Sequence, residues 1–332
     1  MKVLITGGAG YIGSTIATAL EDNGHVPVVL DHLGAGRREF VGDRAFYAAD
    51  IADRHSLRRI VDDHPDLDCT IHCAARIVVP ESVAEPYAYY RDNVTKSLEL
   101  FDELTTLGKP RIVFSSTASL YAPSETFEVT EESPLEPPSP YARTKRMMEL
   151  ALTDICAATG LRAIILRYFN PIGADPNYRS GIQDTLPSHV LGRLVAATRG
   201  DIDQFVITGT DHPTPDGTGI RDYVHVWDLA RAHVAAVERF DAVLAAERAT
   251  STIINLGTGS GVSVRELLAA FERVYGRPVP TREAPPRPGD AIGAYANVDK
   301  AARLLDWQAE LSLDDAIASA LEWGERRTRV LA

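Results

Sequence analysis

Val3-Leu4-Ile5-Thr6-Gly7-Gly8-Ala9-Gly10-Tyr11-Ile12-Gly13 is the stretch that decides the fold. A short apolar, β-rich run passes straight into a glycine-punctuated turn, after which apolar residues recur at helical spacing through Leu20 to Gly24. Strand, turn and helix in that order are what a pyrophosphate cradle needs. Glycines at 7, 10 and 13 let the backbone bend tightly and approach a phosphate, whose charge is favoured at a helix N-terminus. The triplet alone says little; the strand before it and the helix after it give it meaning.

Working outward, the chain repeats this alternation. Val26 to Leu30 reads as a second strand ending in Asp31, where a dinucleotide fold places a carboxylate on the adenosine ribose. That favours NAD over NADP, because Asp31 would repel a 2′-phosphate even with Arg37 and Arg38 close by. Phe46 to Ala49 reads as a third strand with Asp50 and Ile51 placed for adenine, and Arg54 to Asp63 as a helix. Cys69 to Ala75 is expected to be a strand running into small residues, Ala74 and Ala75, that leave room for a cofactor. His72 reads as a satisfied histidine at a strand end. A long helical pattern starts near Pro86, runs to Leu107 and includes Asn93.

Arg111 to Thr117 is predicted as a buried parallel strand ending in three hydroxyls, Ser115, Ser116 and Thr117. Ligands of such sheets bind at the carboxyl ends of strands. Strand-end hydroxyls also satisfy local backbone groups, and Ser115 fits that role equally well. A loop rich in Pro and Glu over 122–140 then leads into a helix reaching about Thr159, followed by a strand over Arg162 to Phe169. The whole predicts an α/β fold: a doubly wound parallel sheet (Rossmann) over residues 1–170, which bind NAD. Residues 171–332 are looser and are expected to form mainly a substrate lobe, with about 221–257 returning to the sheet domain. In that half a helix is expected from about Ser188 to Arg199 and a strand over Phe205 to Thr208. Ser263 and Glu266 form a capping box opening a helix to Tyr275, while Trp307 and Trp323 are expected to pack the lobe.

Bulk properties narrow the function. A chain of 332 residues can bury a large core, and its net charge of −12 argues against a nucleic-acid surface. Cys69, Cys73 and Cys156 are too few for a disulfide framework or a zinc site, so no metal is expected and the three read as packing residues in a reducing cytoplasm. The apolar run after Met1 ends at Thr6-Gly7, short of a signal peptide, and no stretch approaches a membrane span.

Ser139-Pro140-Tyr141-Ala142-Arg143-Thr144-Lys145 carries the chemistry. Spacing of four puts Tyr141 and Lys145 on one helical face. A phenol with a reference pKa of about 10 becomes a useful base only where a fixed positive charge favours phenolate. An isolated Tyr-x-x-x-Lys would be an ordinary helix; a glycine turn, Asp31 and the hydroxyls ending the preceding strand make this one a candidate site.

With these residues in view, the chain resembles the extended short-chain dehydrogenase/reductase family and, within it, the UDP-galactose (UDP-glucose) 4-epimerases. The likeness runs nearly end to end. It is carried by Thr6 to Ser14, Phe114 to Thr117, Ser139 to Lys145, Arg167-Tyr168-Phe169-Asn170-Pro171 and Asp216 to Val226. The resemblance implies that Tyr141 takes the sugar C4 hydroxyl proton while hydride passes to NAD, that Thr117 bonds the same oxygen, and that Lys145 holds the nicotinamide ribose and depresses the Tyr141 pKa. It adds Gly7, Gly10, Tyr11, Ile12, Gly13, Asp31, Asp50, Ile51, Ala74, Ala75, Asn93, Ser115 and Tyr168 as the cofactor surface. Tyr168, Asn170, Ser188, His189, Val190, Thr208, Arg221, Arg287 and Asp290 are implied on the UDP-sugar, and a homodimer is implied through helices 86–107 and 141–159.

The chain departs from the family pattern at Ser188-His189, at Thr208, at Ile77 in place of a lysine, and at Ala294 in place of a bulky tyrosine. Ala294 opens the alternative of UDP-N-acetylglucosamine as substrate, and Arg76 and Arg179 that of UDP-glucuronate. A nucleotide-sugar dehydratase would need Asp-Glu after Thr117, where this chain has Ala118 and Ser119; a non-catalytic NAD-binding protein would have no need of both Tyr141 and Lys145.

Overall fold

The computed structural model describes residues 1–184, 187, 189–286 and 292–331. The first half runs β1 (Lys2–Thr6), α1 (Tyr11–Asp22), β2 (Val26–Leu30), β3 (Ala45–Tyr47), α2 (Arg54–Asp63), β4 (Leu67–His72), α3 (Val79–Ala84), α4 (Pro86–Tyr89), α5 (Lys96–Thr106), β5 (Arg111–Thr117), β6 (Glu128–Val129), α6 (Pro140–Ala158) and β7 (Arg162–Tyr168). There follow β8 (Asn170–Ile172), α7 (Val190–Arg199), β9 (Phe205–Thr208), β10 (Ile220–Arg221), β11 (Tyr223–His225), α8 (Val226–Glu238), α9 (Phe240–Glu247) and β12 (Ser251–Leu256). The chain ends with β13 (Val262–Ser263), α10 (Val264–Tyr275), β14 (Thr281–Ala284), β15 (Gly293–Ala296), α11 (Asp299–Leu305) and α12 (Leu313–Val330).

Seven strands form one parallel sheet in the order β3-β2-β1-β4-β5-β7-β12. Parallel strands must bury both faces, which is why Val3, Leu4 and Ile5 are continuous apolar residues, all fully buried. On one face Ile16 and Leu20 of α1, Leu229 and Val234 of α8 and Leu304 of α11 close the core. On the other it is closed by Leu57 and Ile60 of α2, Leu100 and Leu104 of α5, and Met148 and Leu152 of α6. The order of strands reverses between β1 and β4, opening the crevice in which ligands of such sheets lie.

Smaller sheets build the other end of the molecule: β13-β10-β15-β6, β11-β8 and β14-β9. Their core joins Leu191 and Leu194 of α7, Leu267 and Phe271 of α10 and Ile317 of α12.

Two expectations change, while Trp323 packs chiefly on second-half residues as expected. The helix expected from Pro86 to Leu107 is interrupted, because Tyr90–Thr95 is a π turn between α4 and α5. Trp307 does not pack the lobe: it lies in the core beneath α8, its indole N–H donating to the Asp228 carbonyl at 3.0 Å. Trp323 packs with Phe40 and Ala174 and donates to the Ile182 carbonyl at 2.8 Å.

Candidate active site

The glycine turn can be read atom by atom. Gly7 has φ +73°, and a Cβ there would stand 2.8 Å from the Ala74 nitrogen. At Gly13 a Cβ would stand 2.2 Å from the Gly7 carbonyl oxygen, so α1 packs on the turn only without one. Gly10 differs: its φ is −85° and the nearest atom to an added Cβ is 3.4 Å away. The protein itself would accept an alanine at position 10, so the free space at this helix N-terminus suits a ligand's phosphates. Asp31, 8 % exposed, is fixed at the end of β2 by the backbone N–H groups of Ala9 (3.1 Å) and Leu33 (2.8 Å). Arg38, weighed above as a 2′-phosphate partner, instead lies over the Phe46 ring and donates to the Gly42 carbonyl. The turn, the carboxylate and the small residues Ala74 and Ala75 fit a dinucleotide.

Around this cradle the other cofactor candidates have distinct tasks. Tyr11 turns its hydroxyl away, donating to the Gly173 carbonyl at 2.6 Å, and so ties the glycine turn to the second half of the chain. Ile12 packs against the core on one face of the sheet and Ile51 is buried in the core on the other. Asp50 is paired to Lys96 at 2.5 Å. Asn93 sits in the π turn, a geometry that often re-aims a residue at a functional site. It clamps the loop after β4 by accepting from the Arg76 N–H (2.8 Å) and donating to the Arg76 carbonyl (2.9 Å) and to Thr144 Oγ1 (3.1 Å).

α6 starts where the sequence says it should. Ser139 caps it by accepting from the Ala142 N–H at 3.2 Å, and Pro140 occupies the first position, so Tyr141 falls in the first turn and Lys145 one turn on. Both are buried. The Tyr141 phenol is raised by burial, opposed by a hydrogen bond with Thr117. Lys145 is pushed down to about 8 by burial, with Cys73 and Glu149 acting the other way. Its ammonium donates to the Ser115 carbonyl at 2.7 Å and lies 4.9 Å from the centre of the Phe114 ring. The expected depression of the phenol by Lys145 is therefore not present in the protein alone. Register places Thr117 directly beside Tyr168, so β5, β7 and α6 converge on one point of the crevice.

On the lobe side, Asn170 is exposed on β8. Arg221 lies on β10, its guanidinium donating to the Ile220 (2.7 Å) and Ile292 (3.0 Å) carbonyls. Thr208 ends β9, and Val190 opens α7. His189 caps that helix, its Nδ1 accepting from the Gly192 N–H at 3.2 Å. Ser188, Arg287 and Asp290 lie outside the described residues. Neither arginine considered for a 6-carboxylate serves that purpose. Arg179 makes paired bonds to Asp22 and Asp175, and Arg76 is held by Asp92 and Glu81, each at 2.7 Å. Ala294 sits opposite Arg221 and packs toward Tyr121 and Phe169.

Sequence reasoning missed several residues. Cys69 and Cys156 are buried packing groups, but Cys73 is half-buried in the crevice with Sγ 3.2 Å from Ser115 Oγ. His72 is satisfied as expected, between Thr6 Oγ1 (2.6 Å) and Ser97 Oγ (2.9 Å), and burial lowers it to about 3. The largest omission is a fully buried network. Arg167 donates to both Glu149 oxygens (2.8 and 2.7 Å) and to Tyr121 Oη (3.0 Å), while Ser116 Oγ donates to Glu149 at 2.6 Å. A charge inside the apolar run Ile164-Ile165-Leu166-Arg167 was the signal for it, since such a charge requires a partner.

A sheet with its switch point over a glycine cradle, and a buried Tyr/Lys pair beside strand-end hydroxyls, defines a dinucleotide-dependent enzyme acting on a hydroxyl-bearing substrate. Comparison with known proteins makes the class specific: residues 3–257 match the NAD dependent epimerase/dehydratase family, and the chain belongs to it. It is 42% identical over 324 residues to a UDP-glucose 4-epimerase of Azospirillum brasilense, covering 97% of this chain and 91% of that one. A UDP-glucose 4-epimerase of Bacillus subtilis is 40% identical, with 97% and 96% covered. Among solved structures, a UDP-glucose-4-epimerase from Stenotrophomonas maltophila with bound NAD and formylated UDP-arabinopyranose superposes with a TM-score of 0.93 at 36% identity, over 99% of both chains. One from Bifidobacterium longum in complex with NAD+ and UDP gives 0.92 at 33% identity, over 99% of this chain and 100% of that one.

Proposed function

We propose that this protein is an NAD-dependent UDP-hexose 4-epimerase interconverting UDP-glucose and UDP-galactose through a 4-keto sugar, an activity belonging to galactose metabolism. The observation that carries the reading is the buried Tyr141, one turn from buried Lys145 on a helix packed against the strand that ends in Thr117, beside a fitted dinucleotide cradle. Bound NAD supplies the hydride acceptor and then the hydride donor. Gly7, Gly10 and Gly13 would hold its pyrophosphate and Asp31 its adenosine ribose. Tyr141 takes the C4 hydroxyl proton as C4 is oxidised and returns it when the ketone is reduced on its other face, while Thr117 keeps that oxygen in line. Lys145, one turn away, together with the cationic nicotinamide, would add the positive charge that favours the phenolate. Tyr168 and Asn170 would face the sugar, and Arg221 its diphosphate. Residues 1–170 are the cofactor domain and 171–332 mainly the substrate lobe, with about 221–257 returning to the sheet.

Ala118 and Ser119 follow Thr117 in a tight turn, where Thr117 Oγ1 accepts from the Ser119 N–H at 3.2 Å. They supply no acid–base pair to expel a neighbouring hydroxyl, so the ketone is reduced again. Purified protein incubated with UDP-glucose, UDP-galactose, UDP-N-acetylglucosamine and UDP-glucuronate without added NAD tests the reading. Equilibration of the first two is expected, and its failure rejects the reading.

Two further predictions arise here. Gly10→Ala is expected to leave the melting temperature nearly unchanged but reduce NAD carried through purification. Gly13→Ala should lower stability itself, in the usual range of about 1–3 kcal/mol for overpacking, measured by denaturant titration. The second concerns assembly. Val83, Tyr87, Met147 and Leu150 are exposed apolar side chains on α3, α4 and α6, which pack side by side. We place a homodimer seam there, using the helices 86–107 and 141–159. Size-exclusion chromatography with light scattering should give twice the chain mass, and Leu150→Glu should shift it toward monomer; a monomeric parent chain rejects the seam.

A further inference from the structure

His233 lies on α8, in the part of the chain that the catalytic pair does not touch, and is fully buried. Its Nδ1 is 2.8 Å from the Leu229 carbonyl oxygen, an acceptor, so Nδ1 carries the ring proton. Burial lowers the ring to about 4, which keeps it neutral and leaves Nε2 bare. Nε2 faces Ser115 Oγ at 3.4 Å, so the serine hydroxyl is the donor in that pair. With its proton directed to His233, Ser115 Oγ is left as an acceptor, and the Tyr168 ring, in register beside Thr117, lies 6.1 Å from the His233 ring. Cys73 Sγ, 3.2 Å from the same oxygen, completes the set. The Ser115 carbonyl meanwhile receives the Lys145 ammonium at 2.7 Å.

The geometry points to His233 as a positioning residue for the epimerase reaction: by accepting from Ser115 it steadies the residue whose carbonyl holds the Lys145 ammonium, and its ring packs against Tyr168 beside Thr117. The order of donors runs Ser115 to His233 to Leu229. Each group has one way to satisfy its neighbour, so Ser115 is held in one place, and with it the carbonyl that accepts from Lys145. A buried chain of this kind is stiff because breaking any link leaves a buried polar atom unpaired. It also explains why a histidine stands on an otherwise apolar helix face among Leu229, Ala232 and Ala236.

This rests on the epimerase reading, and the test separates the two. Steady-state kcat and KM for UDP-galactose are measured for parent chain, Ser115→Ala, His233→Leu, the double variant and His233→Gln. Failure of the parent chain to epimerise rejects the function, whatever the variants do. With an active parent, Ser115→Ala and His233→Leu should each lower kcat about tenfold, the scale of one hydrogen bond, at unchanged KM. The double variant should be no worse than either single one, and His233→Gln, which keeps an acceptor, should recover most of the rate. Ser115→Ala removes one oxygen and little volume, so it decides the question even if His233→Leu does not fold. Parent-like kcat in Ser115→Ala, or multiplying losses in the double variant, overturns the inference.

Discussion

Tyr141→Phe is expected to yield a protein that keeps NAD through purification and no longer equilibrates UDP-glucose with UDP-galactose. The substitution removes one oxygen from a buried ring and leaves the packing of α6 intact, because Ser139 and Pro140, not Tyr141, set the start of that helix. None of the cradle groups changes: the glycine turn and Asp31 are held by β1, β2 and their own backbone bonds. What disappears is the proton acceptor within reach of Thr117. Losing a positioned acid–base group costs about 10²- to 10⁴-fold in kcat, and here one group serves both half-reactions. The measurement is product ratio against time beside NAD released by acid extraction. Turnover within tenfold of the parent would remove Tyr141 from its role, whereas loss of NAD would make it a binding residue.

The environment of that phenol adds a physical point. Burial raises it, and only Thr117 opposes this, while the nearby ammonium is itself lowered to about 8 by burial. A desolvated site penalises every charge in it, so phenolate becomes accessible only when positive charge is brought close. Protein and cofactor thus divide the work. The protein contributes place and dryness, and it holds Lys145 through Ser115. Premature deprotonation is disfavoured by the same burial that makes the later electrostatic pull strong.

How much of this could be read from the sequence follows the range of the interactions. The glycine turn, the capped start of α6 and the capping box at Ser263 depend on neighbours a few residues away, and each is found where its local pattern says. The sheet strands were legible because burial on both faces leaves an unbroken apolar run. The π turn at Tyr90–Thr95 was hidden because one extra residue in a helix barely disturbs its periodicity. Trp307 was misplaced because nothing local records that α11 folds back onto α8. The pairs Ser115 with His233, separated by 118 positions, and Tyr121 with Asn255, separated by 134, form only once α8 packs on β5 and β12 joins the sheet. Likewise Arg76 and Arg179 looked available until the fold placed carboxylates beside them.

The buried ion pair behind the site gives the largest expected effect on stability. Arg167 and Glu149 are each 1 % exposed and joined by two parallel bonds; Ser116 and Arg146 also donate to Glu149, Arg167 also donates to Tyr121 Oη and the Glu131 carbonyl, and Tyr121 Oη donates on to Asn255 at 2.6 Å. The network ties β5, α6, β7 and β12 together directly beneath Thr117 and Tyr168. Arg167→Leu leaves the Glu149 carboxylate buried with only Ser116 and the half-buried Arg146 for company. Breaking one side of such a pair costs about 3–5 kcal/mol, because the orphaned charge must be neutralised or rehydrated. The parent pair itself adds much less, since its attraction mostly offsets desolvation. Arg167→Leu combined with Glu149→Met should therefore regain a large part of what Arg167→Leu loses, although it contains one more change. Urea titrations of the parent, Arg167→Leu, Glu149→Met and the double variant give this directly. Additive losses in the double variant would show that the two side chains act separately and that the pair is not the unit of stability under the active site.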